Sequence, residues 1–192
     1  AVALAKKDKK VLIIDLDPSA YLSAHLGLDQ YYDENQNSLA YHLVERPNED
    51  PKGSILKTDE GVDVIPSNYD MRGVQDRLSA ERNREMRLKM VLDEIDEDYD
   101  YTLIDSPPSL GILYDNAILA SQHVVIPIKD EDMSVVSIHR ALDEIDEIEK
   151  AFGVSVEILA IVPNLVRPDG VAASTLEKLR NTEGLKEYLT PF

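Results

Sequence analysis

A chain of 192 residues with 43% hydrophobic content is long enough to bury one substantial core without needing a second domain. It holds no cysteine, which excludes disulfides, thiolate metal centres and cysteine nucleophiles together. With 37 acidic against 20 basic residues the net charge is −17, a field that repels nucleic acid as a whole. No run of about 18 apolar residues suits a membrane span, and no basic stretch followed by an apolar one suits a secretory leader, so the expected location is the cytoplasm.

In chain order, the first strand is expected at Val11 to Asp15, a short apolar run that stops at Asp15-Leu16-Asp17-Pro18. Residues Asp29 to Lys57, rich in Asp, Glu, Asn and Pro around one short apolar helix at Leu39 to Val44, read as a surface excursion. A second strand is expected at Val62 to Pro66. Leu88, Val91, Leu92 and Ile95 then repeat at i, i+3, i+4 and i+7, the stripe of an amphipathic helix lying on a sheet. Arg82, Arg84, Arg87 and Lys89 are interleaved with Glu81 and Glu85, which predicts ion pairs rather than a nucleic-acid patch. The acidic run Asp93 to Asp98 lacks the glycine and terminal glutamate of a calcium loop and reads as a solvated helix end.

Further strands are expected at Tyr101 to Asp105, Val124 to Ile128 and Glu157 to Pro163. Between the last two, Ile138, Leu142, Ile145 and Ile148 form a second helical stripe, with Ser134 as N-cap and Gly153 as C-cap. Strands alternating with helices predict an α/β fold: a doubly wound, mostly parallel sheet with helices on both faces, in one domain over residues 1–192.

Two of these strands end in chemistry. Val11 to Asp15 and Tyr101 to Asp105 each deliver a carboxylate to the C-terminal edge of the sheet, where open α/β sheets place their ligand crevice. Hard oxygen donors there suit a metal ion and the water or phosphate it holds. The bland alternatives are that Asp15 and Asp17 cap a turn or helix, and that Pro107 and Pro108 are a plain loop before a helix. His25, His42, His123 and His139 are too scattered for a zinc hydrolase.

The run Val11-Leu12-Ile13-Ile14-Asp15-Leu16-Asp17-Pro18 resembles the deviant second Walker motif of ParA/Soj-type partitioning ATPases. Tyr101-Thr102-Leu103-Ile104-Asp105-Ser106-Pro107-Pro108 resembles their Walker B strand and the proline switch after it, and Ser109 to Ala117 and Val124 to Ile128 continue the likeness. None of the eight glycines sits in the G-x-x-x-x-G-K-[ST] pattern of a phosphate-binding loop. Ala1-Val2-Ala3-Leu4-Ala5-Lys6-Lys7 resembles the later turns of the helix that follows that loop. The expectation is a fragment lacking the loop, the first strand of the sheet and the C-terminal end, with the neighbours of the lost strand left unpaired.

The resemblance implies ATP and Mg²⁺ as cofactors. It makes Asp17, with Asp15 beside it, the catalytic pair that orients or deprotonates the attacking water, and Asp105, with Asp15, the metal site. Pro107 and Pro108 become a stiff switch sensing the γ-phosphate, where Gly111 permits close approach, and Asn164 a contact to the adenine base, although Asn also favours turns. Where the family commonly has glutamine, glycine and asparagine after Asp-Pro, this chain has Ser19, Ala20 and Tyr21, which puts their contacts in doubt.

The implied partners are a second copy on ATP binding, a ParB-like stimulating protein and non-specific DNA. The acidity bears on the last: it is either the surface of a salt-adapted cytoplasm or a statement against DNA binding, and the even spread of the acids favours the former. A MinD-like positioning ATPase at a membrane and a non-catalytic regulator that keeps the fold are the competing functions. The fragment itself is expected not to hydrolyse ATP.

Overall fold

The chain in this computed structural model is described over residues 1–28, 38–129, 134–164, 177, 179–182 and 184–190. Its strands are β1 (Val11–Asp15), β2 (Leu56–Lys57), β3 (Asp63–Ile65), β4 (Tyr101–Asp105), β5 (His123–Lys129) and β6 (Glu157–Asn164). Its helices are α1 (Val2–Ala5), α2 (Tyr21–His25), α3 (Leu39–Val44), α4 (Val74–Ser79), α5 (Arg87–Asp93), α6 (Ile112–Ala120) and α7 (Ser134–Phe152). Two compact units result, Ala1–Ala120 and Ser121–Phe192.

In the first unit a four-stranded sheet runs in the order β2-β3-β1-β4. β1 pairs in parallel with β3 and with β4, while β2 joins β3 antiparallel. β1 is buried at every position because both of its faces are covered, which is why its sequence is a continuous apolar run rather than an alternation. Leu12, Ile14 and Leu16 point to one side, into a core with Leu39, Leu43, Ile65, Leu78, Leu88 and Leu113. Val11 and Ile13 point to the other, with Val62, Val64, Val2, Leu4 and Ala5 of α1, and Leu22 and Leu26. The expected α/β architecture, with helices on both faces of a largely parallel sheet, is therefore present.

Among the described residues of this sheet β4 pairs with β1 alone, and its side chains alternate between exposed and half-buried, with Tyr101 and Leu103 on the exposed side.

Residues 38–54 correct the reading of a surface excursion. Ser38 caps α3 by accepting a hydrogen bond from the Tyr41 amide, and Leu39, Ala40, Leu43 and Val44 are all buried in the main core. Polar flanks hid a core helix; the stretch 29–37 of the same segment lies outside the described residues. The predicted helix stripe of Leu88 to Ile95 is in place, although the α-helix closes at Asp93 and Ile95 reaches the core from beyond its end. Arg84–Glu85 and Arg87–Glu81 form ion pairs with the expected acids, while Lys89 pairs instead with Asp93.

The second unit holds a two-stranded parallel sheet, β5 with β6, whose register shifts between Val124 and Val125. Ile128 and Ile161 pack with Ile138 of α7 and with Leu179 and Leu185. α7 starts at Ser134 itself and stops before Gly153, whose φ of 66° lies in the left-handed region that ends helices.

Candidate nucleotide and metal site

The geometry begins with register. Ile14 faces Ile104 and Asp15 faces Asp105 across the β1–β4 ladder, and the Leu16 amide extends it by donating to the Asp105 carbonyl at 2.9 Å. Two strands of equal length, each terminated by aspartate, thus bring their carboxylates to one edge.

After β1 the chain turns. The Asp17 carbonyl accepts from the Ala20 amide at 2.9 Å, and Asp17 Oδ1 accepts from the Ser19 amide at 2.8 Å, an Asx-type turn. Ala20 sits at φ 53°, ψ 31°, a left-handed conformation that costs an alanine about 1 kcal/mol and a glycine nothing. The glycine that the sequence resemblance places at this position would suit the turn better than alanine. Tyr21 follows, with 79% of its surface exposed.

Asp15 is fully buried and both oxygens of its carboxylate accept hydrogen bonds from nearby groups. Oδ1 accepts from the Asp17 amide at 3.2 Å, and Oδ2 accepts from the Ser23 amide at 2.9 Å and from the Ser23 hydroxyl at 2.6 Å. Ser23 Oγ in turn accepts from the Ser67 amide at 2.9 Å, just past the end of β3. Both aspartates therefore also play the capping part considered for them.

Asp105 differs. It is an exposed residue whose carboxyl is held above its ordinary range, first by partial loss of solvent and then by the charges of Asp15 and Asp17. The charges of Asp15 and Asp17 disfavour ionisation of Asp105, a repulsion that a cation bound there would relieve. Among the described residues no group of three or more His, Asp or Glu side chains converges as a cage. That is compatible with Mg²⁺, which keeps several waters and takes one or two direct carboxylates, and the hard oxygen donors present fit it.

Pro107 is buried and Pro108 exposed, both in the irregular segment between β4 and α6. Gly111 closes that segment at φ 147°. That backbone conformation favours glycine, and within 4 Å a Cβ would meet only the Gln75 side chain, at 3.7 Å. Asn164 ends β6, exposed and in register with Lys129, in the second unit. Leu165 to Arg167, next to it, lie outside the described residues.

The structure thus brings Asp15, Asp17 and Asp105 to one edge and leaves Asn164 on another unit. Ser23 and Ser67 were not anticipated from sequence. Their contact joins positions 44 residues apart, and no local pattern announces it.

A mostly parallel α/β sheet with carboxylates at its C-terminal edge is a frame that suits a nucleotide and its metal, and the comparisons narrow the class. The AAA domain family matches residues 1–158. The sporulation initiation inhibitor protein Soj of Bacillus subtilis is 33% identical over 149 residues, covering 77% of this chain and 57% of that protein. A virulence plasmid ParA family protein of Chlamydia psittaci is 35% identical over 158 residues, covering 80% and 56%. Cobyrinic acid a,c-diamide synthase of Mycobacterium smegmatis, solved with bound ATP analog and magnesium, aligns at a TM-score of 0.84 and 28% identity over 96% of this chain and 74% of that one. A plasmid partition protein of Borrelia burgdorferi bound to AMPPNP shares the fold at a TM-score of 0.78 and 23% identity, over 98% and 75% of the two chains.

The chain belongs to the AAA-domain family of ParA/Soj-type partitioning ATPases. It spans a little over half the length of the curated relatives it matches.

Proposed function

We propose that the protein carrying this chain is an ATP-hydrolysing switch for plasmid or chromosome partitioning, which dimerises on ATP, associates with DNA and is reset by a ParB-like partner. The nucleotide-binding domain runs through residues 1–192 in this reading, and the protein works in the cytoplasm. Among the described residues no helix is long and apolar enough to cross a membrane. The observation that carries the reading is the in-register pairing of Asp15 with Asp105, with Asp17 two residues beyond and its charge acting on Asp105.

Phosphoryl transfer needs an oriented water and neutralised charge. Asp17, part-exposed at the turn, accepts the proton of the attacking water or orients it, since only one of its oxygens is committed to Ser19. Asp105 would hold Mg²⁺, with the buried Asp15 as the second carboxylate of that metal site; the ion when bound would supply charge neutralisation on the transferring phosphoryl group. Pro107 and Pro108 cannot donate amides and stiffen the link from Asp105 to α6, so that segment moves as one piece when the γ-phosphate leaves. Asn164 contacts the adenine base. The isolated 192-residue chain, with no phosphate-loop pattern in its sequence, does not turn ATP over.

The test is steady-state ATPase activity of the full-length protein and its Asp17→Ala variant. A loss of at least about a hundredfold in kcat supports the assignment. Wild-type turnover by that variant removes Asp17 from catalysis.

A further inference from the structure

One buried polar group at this edge has no part in the chemistry above: the hydroxyl of Ser23. The residue is fully buried in α2. Its Oγ donates to Asp15 Oδ2 at 2.6 Å and accepts from the Ser67 amide at 2.9 Å, while its own amide donates to the same carboxylate oxygen at 2.9 Å. A single hydroxyl therefore stitches together the end of β1, the body of α2 and the exit of β3.

Only a small side chain that both donates and accepts can fill this position. The other oxygen of the carboxylate it orients accepts the Asp17 amide at 3.2 Å. The chain of contacts runs Ser67, Ser23, Asp15, Asp17, and it ends on the residue that faces the attacking water.

We infer that Ser23 is a positioning residue for hydrolysis, acting through Asp15 to fix the backbone, and so the carboxylate, of Asp17. This rests on the assignment of Asp17 to the water. Removing the hydroxyl leaves Asp15 Oδ2 held by the Ser23 amide alone and the Ser67 amide without its acceptor, which loosens the carboxylate that anchors the turn carrying Asp17. Small misplacements of a catalytic group are costly because the reacting geometry is narrow.

The experiment is a double-mutant cycle on the full-length protein, with Ser23→Ala, Asp17→Asn and the pair, read as kcat and KM for ATP. Ser23→Ala is expected to lower kcat about tenfold with KM changed less than about twofold, and Ser23→Thr, which keeps the hydroxyl, to recover most of the loss. In the Asp17→Asn background Ser23→Ala should change kcat by less than about twofold, because the group it positions is gone. Losses that multiply in the double variant overturn the inference and leave the role of Asp17 standing. Wild-type kcat in Ser23→Ala overturns the inference alone, whereas wild-type kcat in Asp17→Asn overturns the functional assignment with it. Should Ser23→Ala melt below the assay temperature, Ser23→Cys, close in size with a weak donor, carries the same cycle to the same outcomes.

Discussion

Asp15 and Asp105 face each other in register across a parallel ladder, yet their carboxylates live differently: Asp15 is buried and hydrogen-bonded through both oxygens, Asp105 is open and repelled. Because the Asp105 carboxyl lies above its ordinary range in the fold, its protonated form is favoured there. The stability it contributes is complete below the ordinary carboxylate range and is lost as pH rises through the elevated value. At neutral pH the folded chain therefore carries an unrelieved repulsion. Asp105→Asn is expected to be more stable than wild type in urea unfolding at pH 7, with the difference vanishing at acidic pH. A variant less stable than wild type at pH 7 contradicts this.

Ala20 holds a left-handed backbone that glycine adopts freely. Ala20→Gly should raise unfolding stability by about 0.5 to 1 kcal/mol, the relief of strain outweighing glycine's extra freedom in the unfolded chain. The check is the denaturation midpoint at unchanged m-value. A lower midpoint would mean that the turn at Asp17-Pro18-Ser19-Ala20 is not strained.

His42 lies almost wholly buried in α3, with Nε2 3.1 Å from the Ser54 hydroxyl. Burial pushes its pKa below the usual value, outweighing the raising effects of the Arg46 backbone, Glu49 and Asp50. A histidine depressed in the fold is stabilising above its unfolded value and costs stability as pH falls below it. Wild type should therefore lose stability between pH 7 and pH 5 more steeply than His42→Gln, as read by urea unfolding at each pH. Equal slopes would show that His42 charges freely in the folded state.

Much of this was legible beforehand, for identifiable reasons. β1 and β4 matched their expected ends because an apolar run stopped by aspartate leaves no room to shift the boundary. The helix at Leu39–Val44 was also foreseen, but not its burial, because acidic and proline-rich flanks masked its place in the core. β2 went unseen: two residues, Leu56–Lys57, carry no period to read, and their antiparallel pairing depends on β3. At the site, the aspartates were found by their position at strand ends. Ser23 was not, since its importance exists only once α2 folds back over β1 and meets Ser67. At Gly111 the backbone adds a reason for glycine that the sequence did not show, its φ of 147°.

The central claim is that the ends of β1 and β4 serve one cation. Mn²⁺ substituted for Mg²⁺ in the full-length protein with bound nucleotide reports this through paramagnetic broadening of backbone amides. The account predicts that the amides of Asp15, Leu16, Asp17 and Ser19 and those of Asp105 and Ser106 broaden together at low Mn²⁺, and that Asp105→Asn weakens both sets in parallel. Broadening confined to one strand end, or surviving unchanged at the β1 end in Asp105→Asn, would contradict it.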